Sequence, residues 1–270
     1  MSESLSACEI RDDGVMTNSQ SATSSHADRS ALAWLVLVLS ITQAAVSPIV
    51  QAISGDTPGE QGDDLLITPP GWAFSIWGVI YFLAIAHAIL TLVRGTATTA
   101  SRGLLTGLAI VYAGSTAWIL ASAYGNSWLT FVVLVVIASA AIWSALVLMR
   151  NDLRDGAPAW HEILEIITVG LYGGWVSMAA YLNLGTALEL GSDEQPQWIL
   201  VLAAIGTALA VLWLVRANLG YAAAVVWALA GITIAAWSDS SLIGVTGLVG
   251  IGAVLAVTAV RAARTKSIPD

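Results

Sequence analysis

The stretch TPPGWAFSIWGVIY, residues 68–81, concentrates aromatic side chains of the kind that hold flat apolar molecules. Phe74, Trp77 and Tyr81 lie at positions i, i+3 and i+7, which places three rings on one face of a helix. Contacts between aromatic rings contribute about 0.5–1.5 kcal/mol per pair beyond the burial of apolar surface. Two interpretations of this stripe are open: a packed seam between helices, or one wall of a binding pocket.

A second stretch, LYGGWVSMAAYLN at residues 171–183, carries a comparable stripe. Because successive residues of a helix are about 100° apart, four side chains fall within about 80° of arc: Tyr172, Trp175, Ala179 and Asn183. Gly173, Gly174 and Ala179 are small enough to admit a close neighbour or a flat ligand.

The two stripes match in depth if their helices cross a membrane in opposite directions. With a rise of about 1.5 Å per residue, Trp77 and Asn183 lie roughly 6–8 Å below the outer ends of their helices. Tyr81 and Trp175 lie roughly 14–18 Å below the same ends. We therefore expect Trp77 and Trp175 to line a common cavity.

The elements that must position these stripes are membrane helices. The chain has 270 residues, 57% hydrophobic and 10% charged, with a mean hydropathy of +0.79, whereas a soluble domain carries about a quarter charged residues. A bilayer core requires about 20 apolar residues per helix, and the runs are too long and continuous for a membrane β-barrel. The sequence predicts an all-α polytopic membrane bundle of eight helices: 31–52, 71–93, 104–123, 127–149, 163–187, 198–215, 219–237 and 241–260.

The start of the second helix has its own signal. Thr68 is expected to cap the helix, and Pro69 and Pro70 fit its first turn, where backbone N–H groups have no helical partner.

The charges predict the orientation. All ten basic residues fall on one side of an eight-helix arrangement: Arg11, Arg29, Arg94, Arg102, Arg150, Arg154, Arg216, Arg261, Arg264 and Lys266. The opposite loops carry only acidic residues: Asp56, Glu60, Asp63, Asp64, Glu189, Asp193, Glu194 and Asp239. By the positive-inside rule, the chain is a multi-pass protein of the cell membrane with both termini in the cytoplasm.

The two ends of the chain differ from the apolar runs. Residues 1–30 are polar and Ser-rich, a composition that predicts a disordered cytoplasmic tail, and residues 263–270 form a second, short tail. Cys8 is the only cysteine, which excludes intramolecular disulfides and cysteine-based metal sites.

Ionisable residues inside the predicted spans are few. His87 and Glu165 are the clear cases, and they pair if helices two and five are neighbours; His87 has either a structural or a functional role. His26 and His161 fall outside the predicted spans, which excludes a haem held by two histidines. No zinc motif, phosphate loop or nucleic-acid patch is found. We expect no enzyme activity, no metal ligand, no required cofactor and no nucleic-acid partner.

The two aromatic stretches resemble the signatures of the translocator protein family, also called tryptophan-rich sensory proteins (TspO/MBR). That family carries a Pro-Pro-x-Trp-x-Phe-x-x-x-Trp-x-x-x-Tyr-like segment entering its second helix. This chain has Pro70, Trp72 and Phe74 at the family's spacing, but Trp77 and Tyr81 follow Phe74 one position earlier than in that pattern, and the proline that is common near Ile76 is absent.

The fifth-helix signature of the family, Tyr-x-x-Trp-x-x-x-Ala-x-x-Leu-Asn, matches at Tyr172, Trp175, Ala179, Leu182 and Asn183, with Leu171 in place of a usual proline. In the third helix, Trp118 suits the family's tryptophan, whereas Ser115 stands where asparagine is typical. The resemblance covers a five-helix unit at residues 31–187 and leaves three additional helices at 188–262.

The resemblance implies a membrane receptor or carrier for a flat hydrophobic ligand, such as a tetrapyrrole of the porphyrin or haem type, with a role in environmental sensing. The ligand-binding residues that it implies, together with the stripes, are Phe74, Trp77, Tyr81, Ser115, Trp118, Tyr172, Trp175, Ala179 and Asn183. The partners expected are the lipid bilayer and the ligand. The three additional helices have two interpretations, a surface for a homodimer or a structural annex.

The alternative function is a small-molecule transporter or permease. Pro48, with Gln43, Ser47 and Gln51, predicts for this alternative a broken polar helix of the kind that transporters use. The sequence carries no internal repeat and little buried charge for ion coupling.

Overall fold

The computed structural model of the chain describes residues 13–54, 65–93, 101–150, 159–216 and 218–266, and within them it is helical with no strand. A 3₁₀ turn at Gly71–Ser75 leads into the second of eight α-helices. The helices are α1 Asp13–Ser54, α2 Ile76–Val93, α3 Arg102–Ala123, α4 Ser127–Arg150, α5 Ala159–Ala187, α6 Glu194–Leu214, α7 Leu219–Ala236 and α8 Ser241–Lys266.

All eight helices are long and apolar enough to cross a membrane, which confirms the predicted all-α polytopic bundle. Helices form at these runs because the bilayer interior offers no hydrogen-bond partner to the backbone, so each segment must satisfy its own N–H and C=O groups. The predicted ends of α3, α4 and α7 lie within two residues of the observed ends.

The structure differs from the sequence predictions at several helix starts; α5 and α6 each begin four residues earlier than predicted. α1 begins at Asp13, so residues 13–30 are helical where a disordered tail was expected; residues 1–12 lie outside the described part. Extending a formed helix adds a hydrogen bond for each further residue, which favours this continuation. The predicted Thr68 cap is also wrong. Pro70 occupies the N-cap of the 3₁₀ turn, without a side-chain bond, and the Thr68 N–H donates to the Leu65 carbonyl at 3.1 Å.

The first five helices close a ring. α1 packs against α2 and α3, α3 packs against α4, α4 against α5, and α5 against α2. The other three helices form a second layer in which α6 and α7 each contact α5 and α8. Buried residues of both layers belong to one continuous apolar core, and the predicted division near residue 187 stays a prediction.

Small residues bring α5 and α7 close together. A Cβ atom added at Gly174 would lie 2.5 Å from the Tyr221 carbonyl oxygen, and one added at Gly220 would lie 2.6 Å from the Ile167 carbonyl oxygen. Asn218 caps α7 by accepting from the Tyr221 N–H at 3.1 Å, and its amide donates to the Ile166 carbonyl of α5 at 3.1 Å. Of the two roles expected for Gly174, the structure therefore supports close helix packing.

Candidate functional site

The segment that leads into α2, residues 69–75 (the α2 entry), packs against α7. The Trp227 indole N–H donates to the Ala73 carbonyl at 2.8 Å, and the Trp72 and Trp227 rings meet edge to face at 5.2 Å between centroids. A Cβ atom at Gly231 would lie 3.0 Å from Pro69 Cβ. Because α7 contacts this segment directly, it helps to fix the position of the aromatic side chains that follow at the start of α2.

Trp77 lies at the centre of an aromatic cluster. Its ring stacks on Tyr81 at 5.3 Å and on Trp118 of α3 at 5.6 Å between centroids. The edges of Tyr172 and Trp175 of α5 meet it at 5.9 and 6.2 Å. The structure thus brings together Trp77 and Trp175, the two residues that matching depth placed in one cavity.

The remaining predicted residues lie on the flanks of this cluster. Phe74 contacts Trp175 edge to face at 5.8 Å. The Asn183 side chain accepts from the Trp118 indole N–H at 3.4 Å and donates to the Ala179 carbonyl at 3.0 Å. Asn183 therefore orients Trp118. The position of Asn183 in the stripe did not specify this role.

A buried polar layer lies next to the aromatic cluster. The Tyr172 hydroxyl donates to Gln43 Oε1 of α1 at 2.6 Å, and the hydroxyl of Ser115, a fully buried residue of α3, makes no hydrogen bond to a described residue. In the described part of the chain, Gln43 Nε2 and the Tyr112 hydroxyl have no hydrogen-bond partner.

Sequence reasoning missed Tyr112 and assigned Gln43 to a different function. α1 runs through Pro48 without a break, so the broken helix expected of a transporter is not formed there. Gln43 instead contributes to the polar layer. In the sequence, a glutamine within an apolar run was the signal that pointed to a functional position. In the structure its side chain is 0% exposed.

The aromatic cluster encloses a small cavity of about 20 Å³. Its wall includes Phe74, Trp77, Trp118 and Trp175 on one side and Ala228 and Ile232 of α7 on the other. A cavity of this size holds about one water molecule, whereas pockets for drug-sized ligands measure about 300–1,000 Å³. The cavity is therefore too small for a drug-sized ligand in this structure.

One polar atom in this wall has no partner. The Trp175 side chain is 3% exposed, and its indole Nε1 makes no hydrogen bond to any described residue. A buried N–H without an acceptor is costly, since it has lost its bonds to water and gained none. An acceptor atom on a molecule in the cavity would satisfy it.

A second cavity, of about 340 Å³, lies among α4, α5 and α6. Its wall contains Phe131, Ile142 and Leu184, and the polar contact in it is the 2.6 Å hydrogen bond between Tyr181 and Thr207. Val135 and Ser139 in the wall are exposed on the bundle surface. It is larger than the aromatic cavity but has no comparable set of aromatic rings.

The ionisable residues also come together. His87 Nε2 of α2 lies 3.4 Å from Glu165 Oε1 of α5, so the predicted pairing is confirmed. His161 also belongs to α5, which begins at Ala159, four residues before the predicted start, and this histidine is 4% exposed. His161 Nδ1 lies 3.8 Å from the same Glu165 oxygen. Both buried histidines therefore lie beside one carboxylate, with ring centroids 6.0 Å apart, an arrangement that the sequence did not predict.

Comparison with known families gives a match over most of the chain. The model of the family described as TSPO-like protein matches residues 30–260, a range that contains seven of the eight helices entirely or nearly so and the apolar part of α1. No curated protein and no solved structure gives a significant match to the chain.

Proposed function

The chain belongs to the TSPO-like protein family, and we propose that it is a membrane receptor or carrier that binds a flat hydrophobic molecule, of the tetrapyrrole class, in the aromatic cluster of α2, α3 and α5. The proposal assigns the ligand contacts to the predicted set around Trp77 and Trp175. It describes a binding protein without a catalytic centre.

The observation that carries this proposal is the unpartnered Trp175 N–H in an aromatic wall. Small-molecule sites are mostly apolar and contain a few polar groups that orient the ligand. Trp175 offers a donor, and Phe74, Trp77 and Trp118 offer ring faces and edges beside it. A flat molecule with carbonyl, carboxylate or imine acceptors at its edge suits this combination.

Binding requires the closed cluster to open. The cavity of about 20 Å³ is far smaller than a tetrapyrrole, so the ligand must select a conformation in which part of the wall has moved. α7 forms that part of the wall that meets the segment before α2 through three contacts: the Trp227–Ala73 hydrogen bond, the edge-to-face contact of Trp72 with Trp227, and the packing of Gly231 on Pro69. We assign the opening motion to a separation of α7 from the α2 entry.

Metal-free protoporphyrin titrated into the purified protein tests the proposal, read by quenching of tryptophan fluorescence. Saturable micromolar binding is expected for the wild type. Trp77→Leu and Trp175→Leu should each weaken it by about tenfold or more, because 1.4 kcal/mol corresponds to a factor of ten. Trp34→Leu is the matched control, since Trp34 is 57% exposed on α1. Absence of saturable binding, or an equal loss in Trp34→Leu, would contradict the proposal.

We also propose that both termini face the cytoplasm. The support is the one-sided distribution of the ten basic residues together with the even number of candidate spans in the described chain. Reporter fusions after Arg150 and Arg216 should read as cytoplasmic, and a fusion at Asp193 should read as external. A cytoplasmic reading at Asp193 reverses the orientation.

A further inference from the structure

We propose that His87, His161 and Glu165 form a binding site for a divalent transition-metal ion of the Zn²⁺ type, near the end of the bundle where α2 ends and α5 begins. The site lies outside the aromatic cluster and does not rest on ligand binding there. It departs from the prediction of no metal ligand, which was made with His161 outside the predicted helix.

The first support is geometry. One ligand atom from each of the three side chains lies within 4.8 Å of the other two, and the Glu165 oxygen is 3.4 Å from His87 Nε2 and 3.8 Å from His161 Nδ1. Two ligands of a tetrahedral ion at metal–ligand distances of about 2.0–2.2 Å lie about 3.3–3.6 Å apart. The distance of 3.4 Å between His87 Nε2 and Glu165 Oε1 already matches. Small rotations of the side chains would bring the other distances between ligand atoms into this range.

The second support is how the helices converge. His161 and Glu165 are i and i+4 on α5, so they share a helix face. His87 reaches them from α2 with 1% of its surface exposed. Its Nε2 atom is the one that faces Glu165, at 3.4 Å, and it also lies 3.5 Å from the Thr91 hydroxyl, whereas its Nδ1 atom has no hydrogen-bond partner among the described residues.

The third support is the chemistry of the set. A carboxylate that is 16% exposed, between two buried imidazoles, gains from a cation that satisfies all three groups at once. Two imidazole nitrogens and one carboxylate oxygen are the ligands of a borderline-soft ion such as Zn²⁺, whereas Ca²⁺ and Mg²⁺ prefer oxygen alone. Three protein ligands leave a fourth position for water or an exogenous ligand.

A metal ion at this position would join the two helices that carry the aromatic stripes. His87 is ten residues beyond Trp77 on α2, and Glu165 is ten residues before Trp175 on α5. Ten residues span about 15 Å of helix. The ion would therefore fix the spacing of α2 and α5 about 15 Å from the aromatic cluster.

The test uses the full chain in detergent, treated with a chelator and then titrated with Zn²⁺ in competition with a chromophoric chelator. One equivalent should bind per chain. Glu165→Gln, His87→Gln and His161→Gln should each weaken binding by about 100-fold, since even partners outside the ligand set cost 10–100-fold in affinity. Co²⁺ should give the intense visible absorption of a tetrahedral nitrogen–oxygen site in the wild type and not in Glu165→Gln.

His26→Gln is the matched control because His26 is the remaining histidine of the three in the sequence. It should bind as the wild type does. Zn²⁺ should also raise the unfolding temperature of the wild type and of His26→Gln but not that of Glu165→Gln, whose helical circular dichroism establishes that it is folded. Failure to bind one saturating equivalent, or an equal loss in His26→Gln, overturns the site and leaves an ion pair alone.

Discussion

The seam between α2 and α5 has two regions of different chemistry. Around Trp77 and Trp175 it consists of rings in contact, with centroid distances of 5.3–6.2 Å about Trp77. Around His87 and Glu165 it consists of ionisable groups within 4.8 Å of each other. Packing of rings depends on shape and tolerates loss of a polar atom, whereas the ionisable region depends on which partners are charged or hydrogen-bonded.

This difference determines what each region can bind. On the proposed function, the aromatic region, whose cavity is about 20 Å³, must open to accept a flat molecule, so its occupancy would be coupled to helix movement. On the proposed metal site, the ionisable region needs only side-chain rotation to accept an ion. Substitutions in the two regions should therefore differ in both size and kind of effect.

The largest effect is expected for Trp77→Ala. It removes the ring that four other aromatic residues contact, and truncation of a core tryptophan costs about 3–5 kcal/mol. Since Trp77 is half-buried, we expect about 3 kcal/mol less stability in denaturant unfolding in detergent. Trp34→Ala, at an exposed position, should stay within about 0.5 kcal/mol of the wild type. Equal stability of the two variants would mean that the cluster is not packed as described.

A smaller effect is expected for Tyr172→Phe. It keeps the ring that contacts Trp77 but removes the hydroxyl that donates to Gln43 at 2.6 Å. The buried amide oxygen then lacks a donor, which costs about 1–3 kcal/mol. Tyr124→Phe is the control, because Tyr124 is 86% exposed. If the unfolding free energies of the two variants agree, the hydrogen bond to α1 does not contribute to stability.

Trp175→Phe isolates the indole N–H. Because that group has no acceptor in the described chain, its loss removes no hydrogen bond from the ligand-free protein. Protoporphyrin affinity should nevertheless fall by about fivefold, since one hydrogen bond contributes about 1 kcal/mol. Trp118→Phe is the contrasting variant, because the N–H that it removes already bonds to Asn183 and is not available to a ligand. Unchanged protoporphyrin affinity in Trp175→Phe would show that the N–H does not contact the ligand.

The contrast between the two regions also explains what the sequence could predict. The aromatic residues repeat at helical spacing on α2 and α5, so their shared face and depth followed from 1.5 Å per residue. The long apolar runs likewise predicted the eight helices. Neither pattern contains the closing contact of α7 on the α2 entry, because Trp227 and Ala73 are 154 residues apart.

The ionisable region was only half predicted for a different reason. His87 and Glu165 were recognised because each stands alone in an apolar run. His161 lies at the first turn of α5, where a start four residues later in the prediction removed it from the helix. A helix end is uncertain by a few residues in a sequence pattern, and here those residues include a buried neighbour of Glu165.

The smallest effect is expected at a second ion pair, which sharpens the contrast with Glu165. Arg102 at the start of α3 donates to Asp28 of α1 at 3.1 Å, but the two side chains are 67% and 58% exposed. Water screens such a pair, and ordering two side chains offsets much of the attraction, so exposed pairs contribute about 0–1 kcal/mol. Asp28→Asn should shift the unfolding free energy by less than about 0.5 kcal/mol, and 1 M salt should reduce even that difference. Glu165→Gln, measured beside it without metal, should lose more stability and show little dependence on salt, because its partners are buried. A larger, salt-sensitive loss in Asp28→Asn than in Glu165→Gln would contradict the assignment of the buried cluster as the stronger polar link at this end of the bundle.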